Sequence, residues 1–398
     1  MDPYVLDWVN LLLRWAHVIV AIAWIGSSFY FVFLDNSLTP PQDPLSKEKG
    51  VGGELWAIHG GGFYHPQKYL VSPKHIPAHL HWFYWESYST WLTGFALFTV
   101  LYLHQASAFL IDKNLFDWSP TVASLAALAF LVAFWLVYDL ICRAFGGRER
   151  GDLIVSIGVA LFVVIASWLA CHLFAGRAAF LLVGAMLATA MSANVFFWII
   201  PGQRKVIAQL RAGEPVDPAH GQRAKQRSVH NTYFTLPVLI AMLSNHYGFL
   251  YSAPSNWLVL VIVMLAGALI RHSFVARHAA LVQGKAVPWR YALVGVVLIA
   301  GVAVWLRPMP NTAAGGAAPV TYAELRKVLD ARCVPCHNEQ LASKNVMLHT
   351  SELVAKNAQL LVQQAVALRT MPLNNATQIT DSERELIGRW FKEGARVK

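Results

Sequence analysis

Charge is scarce in this chain: of 398 residues only 14% are Asp, Glu, Lys or Arg, and the acids number 22. An ordinary soluble domain of this length carries far more, so a soluble fold is a poor use of this composition. Cysteine is scarcer still, with four in all. Two of these, Cys142 and Cys171, stand alone inside apolar runs, which leaves no second ligand pair for a zinc site at Cys333 and Cys336. No repeat of fixed period is visible, and no βαβ pattern surrounds the cysteines to support a thioredoxin-like dithiol.

What fills the chain is apolar and aromatic. Hydrophobic residues reach 56% and Trp occurs 15 times. Stretches long enough to span a bilayer recur through the first three quarters, about eight in number, at roughly 9–34, 85–104, 121–142, 153–174, 178–200, 232–251, 257–276 and 289–306. The first is long, carries Arg14 and His17 and lacks a small-residue cleavage site, which marks a retained helix and not a signal peptide. Loop Lys and Arg gather in the odd-numbered connections, around Lys47 and Lys49, Arg143 to Arg150, Arg204 to Arg227, and Arg277 to Lys285. The even-numbered ones hold only Lys113 and Arg177. That bias places the odd connections in the cytoplasm and both termini in the periplasm of a bacterial inner membrane. It also accounts for most of the net charge of +10, so there is no call for nucleic-acid binding. The expected fold class is all-α: a polytopic membrane helix bundle over 1–307, a flexible Pro-, Gly- and Ala-rich linker over 308–320, and a small domain over 321–398.

That last domain holds the most specific motif, Cys333-Val334-Pro335-Cys336-His337. Two thiols at this spacing take thioether bonds to haem vinyl groups and the adjacent imidazole reaches the iron, so covalent haem c is expected. Its second axial ligand should lie downstream; Met371, followed by Pro372, is best placed, with Met347 and His349 as competitors. A helix from Tyr322 to Arg332 leads into the motif, and an amphipathic helix from Thr380 to Glu393 closes the domain with Leu386, Ile387 and Trp390 on one face. Thr380 followed by Glu383 reads as a capping box. The pattern resembles the short class I cytochromes c. A periplasmic position agrees with the topology, because bacterial c-type haem is attached there.

Ionisable groups at membrane depth are costly and therefore candidates for function. His17 shares a helical stripe with Arg14 and Trp24; it reads as an axial ligand of a haem b, a substrate contact, or a histidine bonded between helices. The sixth stretch runs from His230-Asn231 to Ser244-Asn245-His246 and is expected to be broken at Pro237, as in helices that line cavities, or else to carry polar caps at two interfaces. His230 and His246 lie about 24 Å apart along a helix and cannot share one small site. The first connection holds Trp56, His59-Gly60-Gly61-Gly62-Phe63-Tyr64-His65, Lys68, His75, His79 and His81. Three glycines permit close approach to a planar ligand between stacking rings. A metal site at the histidines and an interfacial aromatic belt are the alternatives.

Several of these segments together carry a resemblance. Trp56-x-x-His59-Gly60-Gly61-Gly62-Phe63-Tyr64, Leu80-His81-Trp82-Phe83, Val229-His230-Asn231-x-Tyr233-x-x-Leu236-Pro237, Ser244-Asn245-His246 and the C-x-x-C-H module resemble the membrane-bound, cytochrome-c-fused bacterial urate oxidases, or urate hydroxylases, over essentially the whole chain. The resemblance implies an oxidoreductase that converts urate to 5-hydroxyisourate in purine breakdown and passes electrons through haem c to another cytochrome c or a terminal oxidase. Within that reading the catalytic candidates are Arg14, His17, His230 and Asn231. Lys68 and Arg271 are further cations, Asn245 could pair with ring edges, and His59, Phe63, Tyr64, Lys68, His81 and His246 are candidate substrate or membrane-haem contacts. A haem b or a quinone would relay electrons across the bilayer. Two alternatives compete: a respiratory cytochrome subunit that only relays electrons, and a transporter with an appended cytochrome.

Overall fold

The computed structural model describes residues 3–70, 73, 76–113, 115–307 and 319–397. His75 and nearly all of the expected linker fall outside them. Ten helices frame the molecule: α1 Pro3–Ser37, α2 Trp85–Phe98, α3 Pro120–Phe145, α4 Gly151–Leu173, α5 Gly176–Ala193, α6 Pro218–Leu243, α7 Asn256–Val282, α8 Arg290–Trp305, α9 Tyr322–Arg332 and α10 Asp381–Lys392. Five of the described helical spans are long and apolar enough to cross a membrane: Tyr4–Ser37, Pro120–Phe145, Gly151–Leu173, Gly176–Ala212 and Asn256–Val282. The other three expected stretches also form helices. Of these, α2 is 14 residues long, α8 is 16, and α6 opens on a polar half containing Arg223, Lys225 and Arg227.

Outward-facing side chains show why this is a membrane protein. Trp8, Leu11, Trp15 and Ile22 of α1 are exposed, as are Leu125, Val132 and Leu140 of α3 and Leu153, Ile157 and Leu161 of α4. Apolar stripes of this extent need hydrocarbon, not water, as their surroundings. The core is built instead on small residues. Ala123 and Ala127 of α3, Ala170 of α4 and Ala178, Ala179 and Ala190 of α5 are buried, and a Cβ on Gly184 would lie 3.0 Å from the Ala241 methyl. With lipid as the alternative solvent, close backbone approach and dispersion replace the hydrophobic effect in holding helices together.

Two details differ from the expectation. Pro237 does not break its helix; α6 runs unbroken from Pro218 to Leu243 with Pro237 buried inside it. Neighbouring helices can support a proline-containing turn in such a setting. The fifth stretch does not stop near 200 either. It widens through a π turn, Asn194–Ile199, and continues as helix Ile200–Ala212.

The first connection forms two small antiparallel ladders. Strand β1 (Val51–Glu54) pairs with β4 (Gln67–Tyr69), and β2 (Ala57–His59) pairs with β3 (Gly62–Tyr64), His59 opposite Gly62. Gly60 and Gly61 both have positive φ, the backbone a tight two-residue hairpin demands. Gly60 and Gly61 therefore make the turn, with Gly62 already in β3.

The described apolar core falls into two clusters. One lies within residues 98–264; the other joins Leu325, Leu329, Cys333, Leu348, Ile387 and Trp390 at the C-terminus. Both terminal helices start in capping boxes, Thr321 with Glu324 for α9 and Thr380 with Glu383 for α10. The C-terminal module rests against the end of the bundle where α6 finishes: a Cβ on Gly248 would collide with the Leu368 carbonyl oxygen, and the Thr370 methyl is 2.9 Å away from the same point.

Candidate functional site

Near the opposite, basic end, polar side chains from α3, α5 and α6 form a closed buried network. Asp139 and Arg227 pair at 2.7 Å with 4% and 2% of their surfaces exposed. The π turn supplies the rest. Its wide spacing brings Asn194 and Trp198 to the same pair: Trp198 Nε1 donates to Asp139 Oδ1 at 2.7 Å, and Asn194 Oδ1 accepts from Arg227 at 3.3 Å. Asn194 Nδ2 donates to the Tyr138 hydroxyl and to Asn231 Oδ1, each at 2.9 Å. The same Tyr138 hydroxyl is hydrogen-bonded to His230 Nδ1 at 2.8 Å, with the Cys142 sulfur 3.9 Å from that nitrogen. Asn231 is committed at both ends, since Nδ2 donates to the Met191 carbonyl at 3.1 Å. His230 and Asn231 are thus brought together as expected, but inside a saturated scaffold. Arg227, counted from sequence among loop cations, is a buried partner.

A second buried arginine has the opposite surroundings. Arg271 of α7 is 3% exposed, and its Nε and Nη2 have no hydrogen-bond partner. Its guanidinium carbon sits 3.6 Å above the Phe29 ring of α1. On the neighbouring side Tyr233 and His272 share a 2.7 Å hydrogen bond, and His272 packs edge-on to Tyr291 at 4.5 Å. Among the described residues no carboxylate pairs with Arg271.

Elsewhere the expected residues disperse. His17 Nδ1 bonds Thr93 at 3.0 Å across α1 and α2, and a Cβ on Gly94 would fall 2.9 Å from its ring. Arg14 turns away to Asn10 at 2.7 Å and is exposed, so the stripe does not act as one group. Among the described residues no second histidine ring contacts His17; His104, His172 and His246 are exposed, and His172 bonds the Trp168 carbonyl of its own helix. These residues do not fit a bis-histidine haem b. In the first connection His59, Phe63 and Tyr64 project from the hairpin, with Phe63 76% exposed, and Lys68 pairs with Asp35 on the surface at 2.8 Å. His81 packs against Phe83 at 4.6 Å, and His79 is exposed. No group of three metal-binding side chains forms among the described residues. Asn245 is already occupied, accepting from Tyr102 at 2.7 Å and Arg177 at 3.1 Å beside Gly248.

The C-terminal module provides a donor set of a different kind. Cys333 is buried at the end of α9, which pushes its thiol up to about 11, while Cys336 is exposed. His337 Nδ1 donates to the Val346 carbonyl at 3.0 Å, which leaves Nε2 as the free nitrogen. Arg384, buried in α10, donates to the Met371 carbonyl at 2.7 Å and to that of Ala365, so the methionine loop is tied down from beneath. His349 Nδ1, Tyr322 OH and Asn375 Oδ1 are buried without partners in the same module. Two thiols, an oriented imidazole and a methionine on a tethered loop are the kinds of group that a covalently held haem requires.

Comparison with known proteins bears on the bundle. The urate oxidase N-terminal family matches residues 3–307, which takes in every membrane-bundle element described above. The chain belongs to the urate oxidase N-terminal family. Neither the curated proteins nor the solved structures gave a match. Within this family member, the residues that sequence reasoning missed are Tyr138, Asp139, Asn194 and Trp198. Asp139 is the one acid in its apolar stretch, and an acid at that depth signals a buried partner.

Proposed function

We propose that this protein oxidises urate to 5-hydroxyisourate in the membrane and delivers the electrons through a C-terminal haem c to an external cytochrome c or terminal oxidase. The balance is simple: the urate monoanion and one water give 5-hydroxyisourate, one proton and two electrons. The observation that carries the reading is the union, in one chain, of a urate-oxidase-family bundle with a C-x-x-C-H module whose histidine is oriented by Val346. Cys333, Cys336, His337 and Met371 would hold the haem, which would supply a one-electron acceptor, so the two electrons of each urate would need two such equivalents. The chain's own residues bind and orient. The bundle excludes bulk water, the Tyr138–His230 pair can hold a proton near the basic end, and the Gly248 contact seats the module against the opposite end. In this reading the eight helical stretches all cross the inner membrane, with both termini in the periplasm.

The test is anaerobic addition of urate to the purified, haem-loaded protein. Reduction of the c-type absorption bands at two haems per urate consumed is the expected result. Intact haem that stays oxidised in excess urate would sink the oxidase reading and leave the relay-subunit alternative standing.

A further inference from the structure

Two arginines are buried in this bundle, and only one has been given a partner. Arg227 is satisfied by Asp139 and Asn194, and its guanidinium lies 5.0 Å and 5.1 Å from the Tyr138 and Trp198 rings. Arg271 is equally buried, yet Nε and Nη2 are bare. Those two nitrogens form one edge of the guanidinium, the edge whose two parallel N–H groups grip a carboxylate-like acceptor pair. A buried cation is retained against its own desolvation, and since no described residue supplies a counter-ion to Arg271, the expected source of its anion is a ligand.

The neighbourhood narrows what that anion can be. Phe29 lies against the face of the guanidinium at 3.6 Å, so the free edge, not the face, is the ligand-binding surface. Tyr233 is hydrogen-bonded to His272, the residue next to Arg271 in α7, so a hydroxyl–imidazole pair lies at the same turn. We propose that Arg271 is the anion-binding residue of a substrate site between α1, α6 and α7, taking a planar anion that presents two adjacent acceptors on one edge. The urate monoanion meets this description through a ring carbonyl oxygen and the deprotonated nitrogen beside it; to that extent the site rests on the oxidase reading. Phe29 and Tyr233 set the plane of the ligand, and Tyr233 with His272 provides a hydroxyl–imidazole pair for its far side.

The site is tested by binding, independently of turnover. Full-length protein in lipid nanodiscs, with its haem reduced beforehand so that no electrons can be accepted, is dialysed against radiolabelled urate. Arg271→Gln is expected to weaken binding at least about thirtyfold, and Arg271→Lys, which keeps the charge but not the two-donor edge, about tenfold. Thermal unfolding without ligand is the second readout: because the guanidinium has no ionic partner in the free protein and only its Phe29 contact to lose, Arg271→Gln should melt within about 3 °C of the wild type. A variant that melts far below it would assign Arg271 to the scaffold and overturn the site, as would an Arg271→Lys protein with unchanged affinity. If the wild type binds urate and Arg271→Gln binds it equally, the site is overturned while the oxidase reading stands. Should orotate or benzoate, and not urate, stabilise the wild type through Arg271, the anion site stands and the urate reading falls.

Discussion

Replacing Asp139 by Asn keeps the shape of the network near the basic end and removes only its negative charge. Three donors then lose their ionic acceptor: Arg227 at 2.7 Å, Trp198 at 2.7 Å and Arg143 at 2.9 Å. Arg143 is 63% exposed on its side chain, so its share is small, about 0.3–0.5 kcal/mol. Arg227 is different, because it remains charged and buried with no counter-ion. Removing one partner of such a pair costs about 3–5 kcal/mol. An amide oxygen still accepts from Trp198, so the total should be about 3 kcal/mol. For a bundle of this size that lowers the thermal midpoint by roughly 5 °C. Arg227→Met alone should cost less, since the carboxylate keeps Trp198 and the exposed Arg143. The double variant Asp139→Asn/Arg227→Met, which removes both charges, should recover at least about 2 kcal/mol against the sum of the single changes. Midpoints in detergent, followed by helical circular dichroism, measure all three. A loss below about 2 °C for Asp139→Asn, or strictly additive single changes, would refute the argument that this ion pair is coupled through burial.

Further expectations attach to other parts of the chain. Gly248→Val should push the Leu368–Thr370 loop off the bundle and slow haem reduction by urate more than tenfold, with urate affinity unchanged; equal rates would dismiss this contact as a route for electrons. Tyr138→Phe leaves one Asn194 N–H without a partner and His230 Nδ1 with only the Cys142 sulfur at 3.9 Å, and should cost about 1–3 kcal/mol, read as a lower melting midpoint, whereas no change would mean that the network carries no strength. In the C-terminal module burial pushes the Glu383 carboxyl up, but bonds from the Thr380 backbone and hydroxyl and from Arg332 outweigh it and hold it below the usual carboxylate range. A carboxyl depressed in the folded state stabilises at pH above its unfolded value and loses that contribution as pH falls through the folded one. Helix α10 should therefore lose amide protection on acidification below the normal carboxylate range, and Thr380→Ala, costing about 1 kcal/mol, should move the loss to higher pH. Unchanged exchange in both proteins would contradict the capping argument.

Local patterns in this chain decided local structure. The C-x-x-C-H motif, the helix Tyr322–Arg332 before it and the Thr380–Glu383 box depend on contacts within a few residues, and each stands where periodicity and capping chemistry put it. The apolar stretches likewise dictated helices, because in hydrocarbon every backbone group must be bonded within its own segment. What periodicity cannot reveal is which neighbour a polar side chain will meet. Arg14 and His17 share a stripe by spacing and are parted by their partners, Asn10 and Thr93. The three glycines of the first connection read as a ligand cradle until strand pairing made them a hairpin tip. Arg227 and Arg271 are the clearest case. Arg227 stands in a basic run beside Arg223 and Lys225 and Arg271 in an apolar stretch, and neither setting tells which partner the side chain will meet. Only the packing of α3 and the π turn against α6 gives Arg227 its acid, and only the packing of α1 against α7 leaves Arg271 buried with a free edge, because charge compensation is a matter of distance in space.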